Sequence, residues 1–569
     1  MIGRRIWRLL TAASPAPYAT APASLIDELL ATRLPDRAER EQFLTPTLDK
    51  LPSPDGLRDI TQAVDLLRAH MQSGVIGVCG DYDADGVCAT ALAVRCLRAW
   101  GARVVWVVPD RFGDGYGLTP GLVDILRAQG ATLVLTADNG IRAHEAIAHA
   151  RQSGLAVVVT DHHSPDDHVP LADAVVNPNR NDDHSGLGML CGTGVLYYVM
   201  IALRARMRQA GLEGGNLNLA THLDLVAVAT VADVVPLIGV NRILVAQGLR
   251  RMQTTPMPWL VALCGVTHLA VSDLRSRDLA MRIIPRLNVA GRLQHARHAV
   301  DLLLCDDPAQ AAVRAAQLDG WNAERSEIER QIVRSAGQVY ARDVQGIPCV
   351  AAQPDWHQGV VGIAASRLTA QIHAPAVLGC VIAGDRAVCS ARSVRGFDVL
   401  GSLTQQSHLY DKFGGHPQAA GLTVKLEHLP VIRQQLQADF AAQFPHGYDE
   451  PLDVDCLLDS APSDQHSEVQ NLLEPCGAAN EAPVWGVLNA RVRSQAIVGR
   501  NHLRFTLSVG ERQAPLACIA WNRRDLYPLP VNAVCVAGHL RPNSRSGTLE
   551  LDVADVQPGG DPFLPRRSR

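Results

Sequence analysis

The sequence predicts a multidomain α/β protein: a parallel-sheet domain, a long connecting helix, a second α/β unit and a small C-terminal β-barrel. Three observations carry this expectation. Apolar runs of strand length alternate with Ala-rich helical segments up to about residue 231. From Asp306 to Ala341 the composition turns to Ala, Gln, Glu and Arg, with aliphatic residues at helical spacing. Beyond residue 450, short strand-like segments alternate with turn residues. At 569 residues the chain also exceeds one ordinary core, so three or four domains are expected.

Residues 1–50 read as a Pro-punctuated, partly helical lead-in ending near Thr45-Pro46 and Leu51-Pro52. The parallel-sheet domain is expected over 51–304. Its buried strands are Val75 to Gly80, Ala102 to Val108, Ala131 to Thr136, Leu155 to Thr160 and Ala174 to Val176. Segments 87–100 and 142–153 suit crossover helices stopped by Gly101 and Gly154, and Pro109 to Pro120 reads as a loop. Helices are expected near 191–206 and 217–231, the second halting before Pro236, because proline lacks the N–H and disfavours a helical predecessor. The connecting helix takes 305–345, with Gly320-Trp321 as a candidate bend. The second α/β unit, 346–449, opens on Ile347 to Ala352 and continues with helices from Gly359 and near 427–444. Residues 450–569 supply strands at 484–498, 503–509, 516–521 and 533–540, a pattern that suits an OB-like barrel.

Chemistry concentrates where the first strands end. Asp81, Asp83 and Asp85, closed by Gly86, follow the first strand; Asp138-Asn139-Gly140 and Asp161-His162-His163 follow two others. Ligands of parallel sheets gather outside the carboxyl ends of the strands. Carboxylates brought together there are costly to ionise unless compensated, and a divalent cation is the simplest compensation. The D-x-D-x-D-G opening also begins an EF-hand loop, but that loop needs a bidentate Glu at its twelfth position, which here is Leu92. Asp233, in Val231-Ala232-Asp233-Val234-Val235-Pro236, is an acid among aliphatics, fitting either a helix cap or a further ligand.

Composition narrows the setting. Net charge is −4, so any nucleic-acid surface is local. Lys occurs only at 50, 412 and 425, so an individual Arg carries little weight as a phosphate-binding signal. Thirteen Cys without a C-x-x-C pair fit buried thiols in a reducing compartment, and the cytoplasm is the expected location. Residues 1–10 do not make a convincing signal peptide, and no apolar stretch reaches the roughly eighteen residues of a membrane span.

Taken together, Gly80-Asp81-Tyr82-Asp83-Ala84-Asp85-Gly86, Asp138-Asn139-Gly140, Asp161-His162-His163 and Val231-Ala232-Asp233 resemble the four motifs of the DHH phosphoesterases. Within that superfamily the chain is similar to the RecJ family, bacterial 5′-to-3′ exonucleases specific for single-stranded DNA. The likeness includes Phe112 to Leu118, Pro285 to Arg292, Trp356 to Ile363, Ser390 to Ser393, Gly414-Gly415-His416 and Pro475 to Asn480. It implies a DHH domain, a DHH-associated domain and an OB-like domain. By resemblance, Asp83, Asp85, Asp138, His162 and Asp233 hold two divalent cations, Mn²⁺ or Mg²⁺, with Asp138 as the bridge and Asp81 as an additional ligand. Small apolar changes at Ala137 and Ala479 remove no ligand. Cys79 stands where other branches carry a His, which disfavours the alternative of a phosphodiesterase for short oligonucleotides or cyclic dinucleotides.

The residue types agree with that chemistry, since hard carboxylate ligands suit Mn²⁺ or Mg²⁺ better than zinc. Two such ions roughly 3.5–4 Å apart activate water and clamp both oxygens of an in-line displacement. His163 is expected to contact the scissile phosphate, or else to serve only as a partner of Asp161. Between Met281 and Ala299 lie Arg282, Arg286, Arg292 and Arg297 with no acid, and this patch, with Asn288, is a candidate backbone track or else a solvated helix face. His357 precedes a helix N-terminus suited to an anion. Family resemblance makes Arg111, Ser390 and Arg392 a 5′-phosphate pocket and adds His416 as a substrate contact. The gap between the two α/β units is the expected single-strand channel, and Trp485, Phe505, Trp521 and Tyr527 are candidates for base stacking. The resemblance further implies a monomer working beside single-strand-binding protein and a RecQ-type helicase.

Overall fold

A computed structural model describes residues 5–10, 22–212, 214–339, 346–382, 384–510, 513–543 and 547–563. The rest of the expected lead-in, and residues 340–345 of the expected connecting helix, lie outside the described residues. The chain forms two compact units. The first comprises Glu41–Glu324 and Leu473–Glu481; the second comprises Met1–Arg40, Arg325–Leu472 and Ala482–Arg569.

In the first unit, strands β1 (Ile76–Cys79), β2 (Val104–Val107), β3 (Leu133–Thr136), β4 (Ala156–Thr160) and β5 (Ala174–Val176) make a wholly parallel sheet in the order β2-β1-β3-β4-β5. Register is continuous, Cys79 lying between Val107 and Thr136 and Leu135 beside Val158. Helix α1 (Ala84–Ala99) crosses from β1 to β2, α2 (Pro120–Ala128) from β2 to β3, and α3 (His144–Gln152) from β3 to β4. Both faces are covered, so the central strands are apolar without alternation and fully buried. One face packs Val78, Leu133 and Val158 against α1, α4 (Gly192–Gln209) and α5 (Leu223–Ala232). The other packs Val134, Val157 and Val159 against Leu122, Val123 and Leu126 of α2 and Ala146 and Ile147 of α3. Gly101 and Gly154 take positive φ directly after α1 and α3, as expected of helix stops. Helix α2 lies where the sequence reading names only the preceding loop; Pro120 follows Thr119, whose side chain accepts from Leu122 N–H, a sequence-legible start.

The order of this sheet reverses at β1. The chain steps outward to β2 and then returns to β3 on the opposite side, so α1 and α2 leave on different faces. A crevice opens between the carboxyl ends of β1 and β3, the usual ligand position of such sheets. The first and second carboxylate motifs emerge there.

Helix α6 (Gly239–Thr254) ties the segment 473–481 to this unit. Arg242 is 2% exposed, lies over the Phe43 ring at 3.5 Å and donates to the carbonyls of Phe43, Leu473, Glu474 and Pro475. Burial lowers its pKa to about 10, which leaves it charged at neutral pH. Helix α7 (Ile284–Leu293) follows a single π-helical turn, Leu279–Ile283. Helix α8 (Pro308–Val339) runs unbroken through Gly320-Trp321, because one helical glycine costs about 1 kcal/mol but leaves the hydrogen-bond ladder intact.

The second unit contains a mixed sheet of β6 (Cys349–Gln353), β7 (Ala376–Val381), β8 (Arg386–Arg392), β9 (Tyr410–His416) and β10 (Ala419–Lys425), in the order β9-β10-β8-β7-β6. Helix α9 begins at Val361 and ends at Ile372, two residues later than the expected Gly359 start; α10 spans Leu429–Gln443. The barrel strands are β11 (Trp485–Val498), β12 (His502–Val509), β13 (Ala514–Ala520), β14 (Val534–Pro542) and β15 (Leu549–Pro558), ordered β11-β12-β13-β15-β14 and closed by β14 on β11. This is the OB arrangement. Strand β15 is absent from the sequence reading because Glu550 and Asp555 look like loop residues. Both are buried and paired, Glu550 with Arg504 and Arg541, and Asp555 with the Trp7 indole. Trp485 and Phe505 belong to the core, whereas Trp521 and Tyr527 are exposed.

Arg242→Ala is expected to lower stability by about 3 kcal/mol or more, because several buried carbonyls lose a charged donor together. A shift of the urea midpoint measures it.

Candidate metal centre

Each motif is placed by a local backbone requirement. Asp83 is the N-cap of α1, its Oδ1 accepting from the N–H groups of Asp85 and Gly86 at 3.0 and 3.1 Å. Asp85 reaches across to the first turn of α4, where Gly192 N donates to Oδ2 at 2.7 Å and Thr193 N to Oδ1 at 2.9 Å. Asp138 sits immediately beyond β3 with φ of 69°, a left-handed conformation that costs a non-glycine residue energy and here turns its carboxylate into the crevice. Asn139 holds that turn, donating to the Cys79 and Ala137 carbonyls and accepting from Leu118 N. Asp233 is the C-cap of α5.

These residues converge. His162 Nε2 is 3.3 Å from Asp138 Oδ1 and 3.6 Å from Asp233 Oδ2. Asp85, His162 and Asp233 offer ligand atoms within 4.8 Å of one another, and so do Asp81, Asp83 and Asp138; the two sets share no residue. A third set, Asp138, His162 and His163, lies across both. Among the described residues, Oδ1 of Asp81 and Oδ1 of Asp138 are buried and accept no hydrogen bond. Unpartnered buried oxygens among carboxylates are what a cation site requires, so the residues fit the divalent ions expected from the sequence.

Electrostatics agree. Burial, then the charge of Asp83, raises the pKa of Asp81 well above normal; burial, then Asp85, raises that of Asp83. Asp138 is raised strongly by burial and by Asp85, Asp83 and Asp81, and Asp233 is pushed up to about 8 by burial and by Asp85 and Asp83. Burial lowers His162, which keeps its imidazole neutral and able to ligate. A dication reverses the repulsion among the acids.

The other two residues of Asp161-His162-His163 form a different device. Asp161 points inward, 1% exposed, and accepts from Ile141 N, His162 N, His163 N and His163 Nδ1, the last at 2.7 Å. Burial pushes Asp161 up, but its bond and ion pair with His163 and the backbone donors outweigh this and hold it below the usual carboxylate range. Desolvation pushes His163 down, yet Asp161 prevails and takes it up to about 9. The Tyr116 hydroxyl stands 3.2 Å from the His163 ring nitrogens, and Asn177 and Asn179 donate to the carbonyls of His163 and His162. His163 is thus oriented by Asp161, whose charge favours its protonated form.

The remaining predicted residues fall at several places. Arg111 lies over the Tyr82 ring at 4.9 Å, and it and Arg292 place positive charge beside that ring. Asn288 accepts from Ala84 N–H and so braces the first motif. Arg286 is engaged with Asp319 at 2.6 Å and with the Arg282 carbonyl, while Arg282 donates to Thr267 O. In the second unit, His357 Nδ1 accepts from Gly359 N. Ser390 and Arg392 lie on the half-exposed face of β8, and a Cβ on Gly362 of α9 would stand 3.0 Å from Arg392 Nη2 and 3.3 Å from Ser390 Oγ. The backbone of α9 thus approaches both. Exposed His416 shares a cross-strand row with Ala419 and Arg392. Sequence reasoning places a helix near 191–206 and Tyr116 within the Phe112–Leu118 likeness but gives neither Tyr116 nor Cys191-Gly192-Thr193 a place at the site; the signal available was Gly-Thr-Gly opening an apolar helix.

Parallel sheet, carboxylate cluster and barrel define a DHH-domain protein. Sequence models for the DHH family, N-terminal domain, the DHHA1 domain and the RecJ OB domain match residues 75–230, 345–442 and 453–555. The chain is 40% identical over 470 residues to the single-stranded-DNA-specific exonuclease RecJ of Salmonella typhimurium, covering 79% of this chain and 81% of that one. It is 34% identical over 568 residues to that of Haemophilus influenzae, covering 94% and 96%. The crystal structure of RecJ in complex with Mn²⁺ from Thermus thermophilus superposes with a TM-score of 0.79 at 30% identity, covering 98% of this chain and 80% of that one. The chain belongs to the RecJ family. No described helix is long and apolar enough to cross a membrane.

In chelator, His163 is expected to titrate near pH 9 against about 6.5 unfolded, so the stability it contributes is full below about 6.5 and fades as pH rises through 9. Asp161→Asn should bring that titration down towards the unperturbed value, read on ¹³C-labelled histidine rings with His163→Ala for assignment.

Proposed function

We propose that the protein is a 5′-to-3′ exonuclease that hydrolyses single-stranded DNA to 5′-mononucleotides with two divalent cations, Mn²⁺ or Mg²⁺. The observation that carries this is the pair of separate ligand sets, Asp85/His162/Asp233 and Asp81/Asp83/Asp138, with unpartnered buried oxygens at the switch point of the sheet. The names of the family's members supply the substrate. Asp138, whose Oδ1 lies 3.3 Å from the imidazole of the other set, is placed to contribute to both cation positions and would serve as the shared ligand. Bound there, the ions supply activation of water and charge neutralisation on the phosphate.

The chain's own residues do the rest. Charged His163, held by Asp161, donates to a non-bridging oxygen of the scissile phosphate as water adds in line and the 3′ oxygen leaves. Such a fixed donor acts on charge that builds in the transition state. Arg111 and Arg292 add positive charge at the rim. In the second unit, Ser390 and Arg392, with the exposed His416 in the same row, bind a phosphate against the close backbone of α9; Arg grips such groups through paired donors. Exposed Trp521, with Arg541 5.0 Å over its ring, stacks on bases in the barrel. Arg282, Arg286 and Asn288 offer the strand's phosphates a local basic track, and His357 lies beside the start of α9 for the same purpose, while their present partners brace these surfaces. Domain boundaries at about 50, 304, 345 and 449 follow. The enzyme acts as a monomer in the cytoplasm, in recombination and repair, beside single-strand-binding protein and a RecQ-type helicase, and thirteen Cys without a C-x-x-C pair support a reducing compartment.

Asp138→Ala is expected to retain single-strand binding but to lose at least about a thousandfold in hydrolysis, roughly 4 kcal/mol in the barrier, as is the wild type in chelator. Wild-type-like turnover in that variant would remove the metal mechanism. Arg392→Ala should cut use of 5′-phosphorylated ends by about 10–100-fold, the worth of one charge-assisted contact, and spare 5′-hydroxyl ends; equal loss on both excludes a phosphate-reading role. End-labelled strands blocked at one terminus check polarity.

A further inference from the structure

The start of α4 touches both ligand sets of the candidate metal centre. Its first two amides are given to Asp85, one to each carboxylate oxygen. The Thr193 hydroxyl returns to the Asp85 carbonyl at 3.0 Å, and Cys191 caps the helix by accepting from Gly194 N. On the same turn, a Cβ added to Gly192 would overlap the Oδ1, Cβ and Cγ atoms of Asp138. That Oδ1 is the buried oxygen left without a hydrogen-bond partner, and Asp138 itself is held in a left-handed conformation. One turn of helix therefore donates to a ligand of one set and leaves room, by lacking a side chain, for a ligand of the other.

We propose that Gly192 and the Thr193 amide are positioning residues that set the distance between Asp85 and Asp138 and so allow both cation positions to fill at once. The physical grounds are independent of each other. First-turn amides have no partner within their own helix, and the helix N-terminus carries partial positive charge, so both oxygens of Asp85 are fixed by backbone donors, whatever charge His163 adds nearby. A backbone cannot swing away as a Lys or Arg would; the carboxylate is held in place before an ion arrives. At Gly192 the constraint is steric: the strained Asp138 has one direction in which to present Oδ1, and only a missing side chain leaves it open. The inference rests on the two-cation reading above and deepens it, adding residues that touch neither ion nor substrate.

Uptake of Mn²⁺ by the full-length protein, followed through loss of the free-ion paramagnetic resonance signal, tests it. The wild type is expected to bind two ions. Gly192→Ala should bind one, or a second at least about tenfold more weakly. Thr193→Pro deletes the amide, at a position where the first helical turn tolerates proline, together with the hydroxyl bond to the Asp85 carbonyl that Thr193→Val removes alone; relative to Thr193→Val it should weaken uptake by about 10–100-fold, the worth of one hydrogen bond to a charged group. Melting in chelator is recorded for each variant. Two-ion uptake with wild-type affinity in both Gly192→Ala and Thr193→Pro overturns the inference. Failure of either variant to fold in chelator also overturns it, because the constraint would then lie in core packing and not at the ligands. A wild type that takes up no Mn²⁺ overturns the two-cation reading itself, an outcome distinct from the others.

Discussion

The structure of the first unit is organised around a repulsion. Asp81, Asp83, Asp85, Asp138 and Asp233 are brought within reach of one another at a buried crevice, where each raises the cost of ionising the next. An isolated chain would pull such groups into water. Here they cannot retreat, because the strands that deliver them are covered on both faces and the sheet fixes where each run ends. The energy that holds them is that of the whole core.

The neighbouring backbone answers part of the repulsion. Asp83 receives the first amides of α1, Asp85 those of α4, and Asp161 those of its own loop. Helix N-termini thus do the work that Lys or Arg would do elsewhere, without filling the crevice. Among the described residues, Oδ1 of Asp81 and Oδ1 of Asp138 find no hydrogen-bond donor. The arrangement is therefore incomplete in a directional way: what remains to be neutralised is aimed at the positions that the ligand sets enclose. Asp161 shows the opposite solution, saturated by donors and used to charge and orient His163.

In the second unit the same need for close approach appears without acids. Gly362 lets α9 come near Ser390 and Arg392, and the sheet face beyond carries the small residues Ala419 and Gly421. The barrel reverses the usual pattern again: Glu550 and Asp555 are buried, each paired with a basic or indole partner from another strand or from the N-terminal strand Ile6–Leu9.

The sequence by itself determined the periodic part of this protein. Fully apolar runs such as Leu133–Thr136 announce strands buried on both faces, and their acidic endings announce where ligands gather, because burial and the direction of a parallel strand are local consequences of composition. Gly101 and Gly154 mark helix ends for an equally local reason. Partnership at a distance was not legible. Strand β15 is not legible until Arg504 and Arg541 pair with Glu550 and the Trp7 indole donates to Asp555; the partnership of Arg286 with Asp319 is equally hidden in the sequence; Gly192 is one glycine among many until Asp138 lies against it. Only tertiary structure decided these, since a charge or a missing side chain takes its meaning from the group that folding places opposite it.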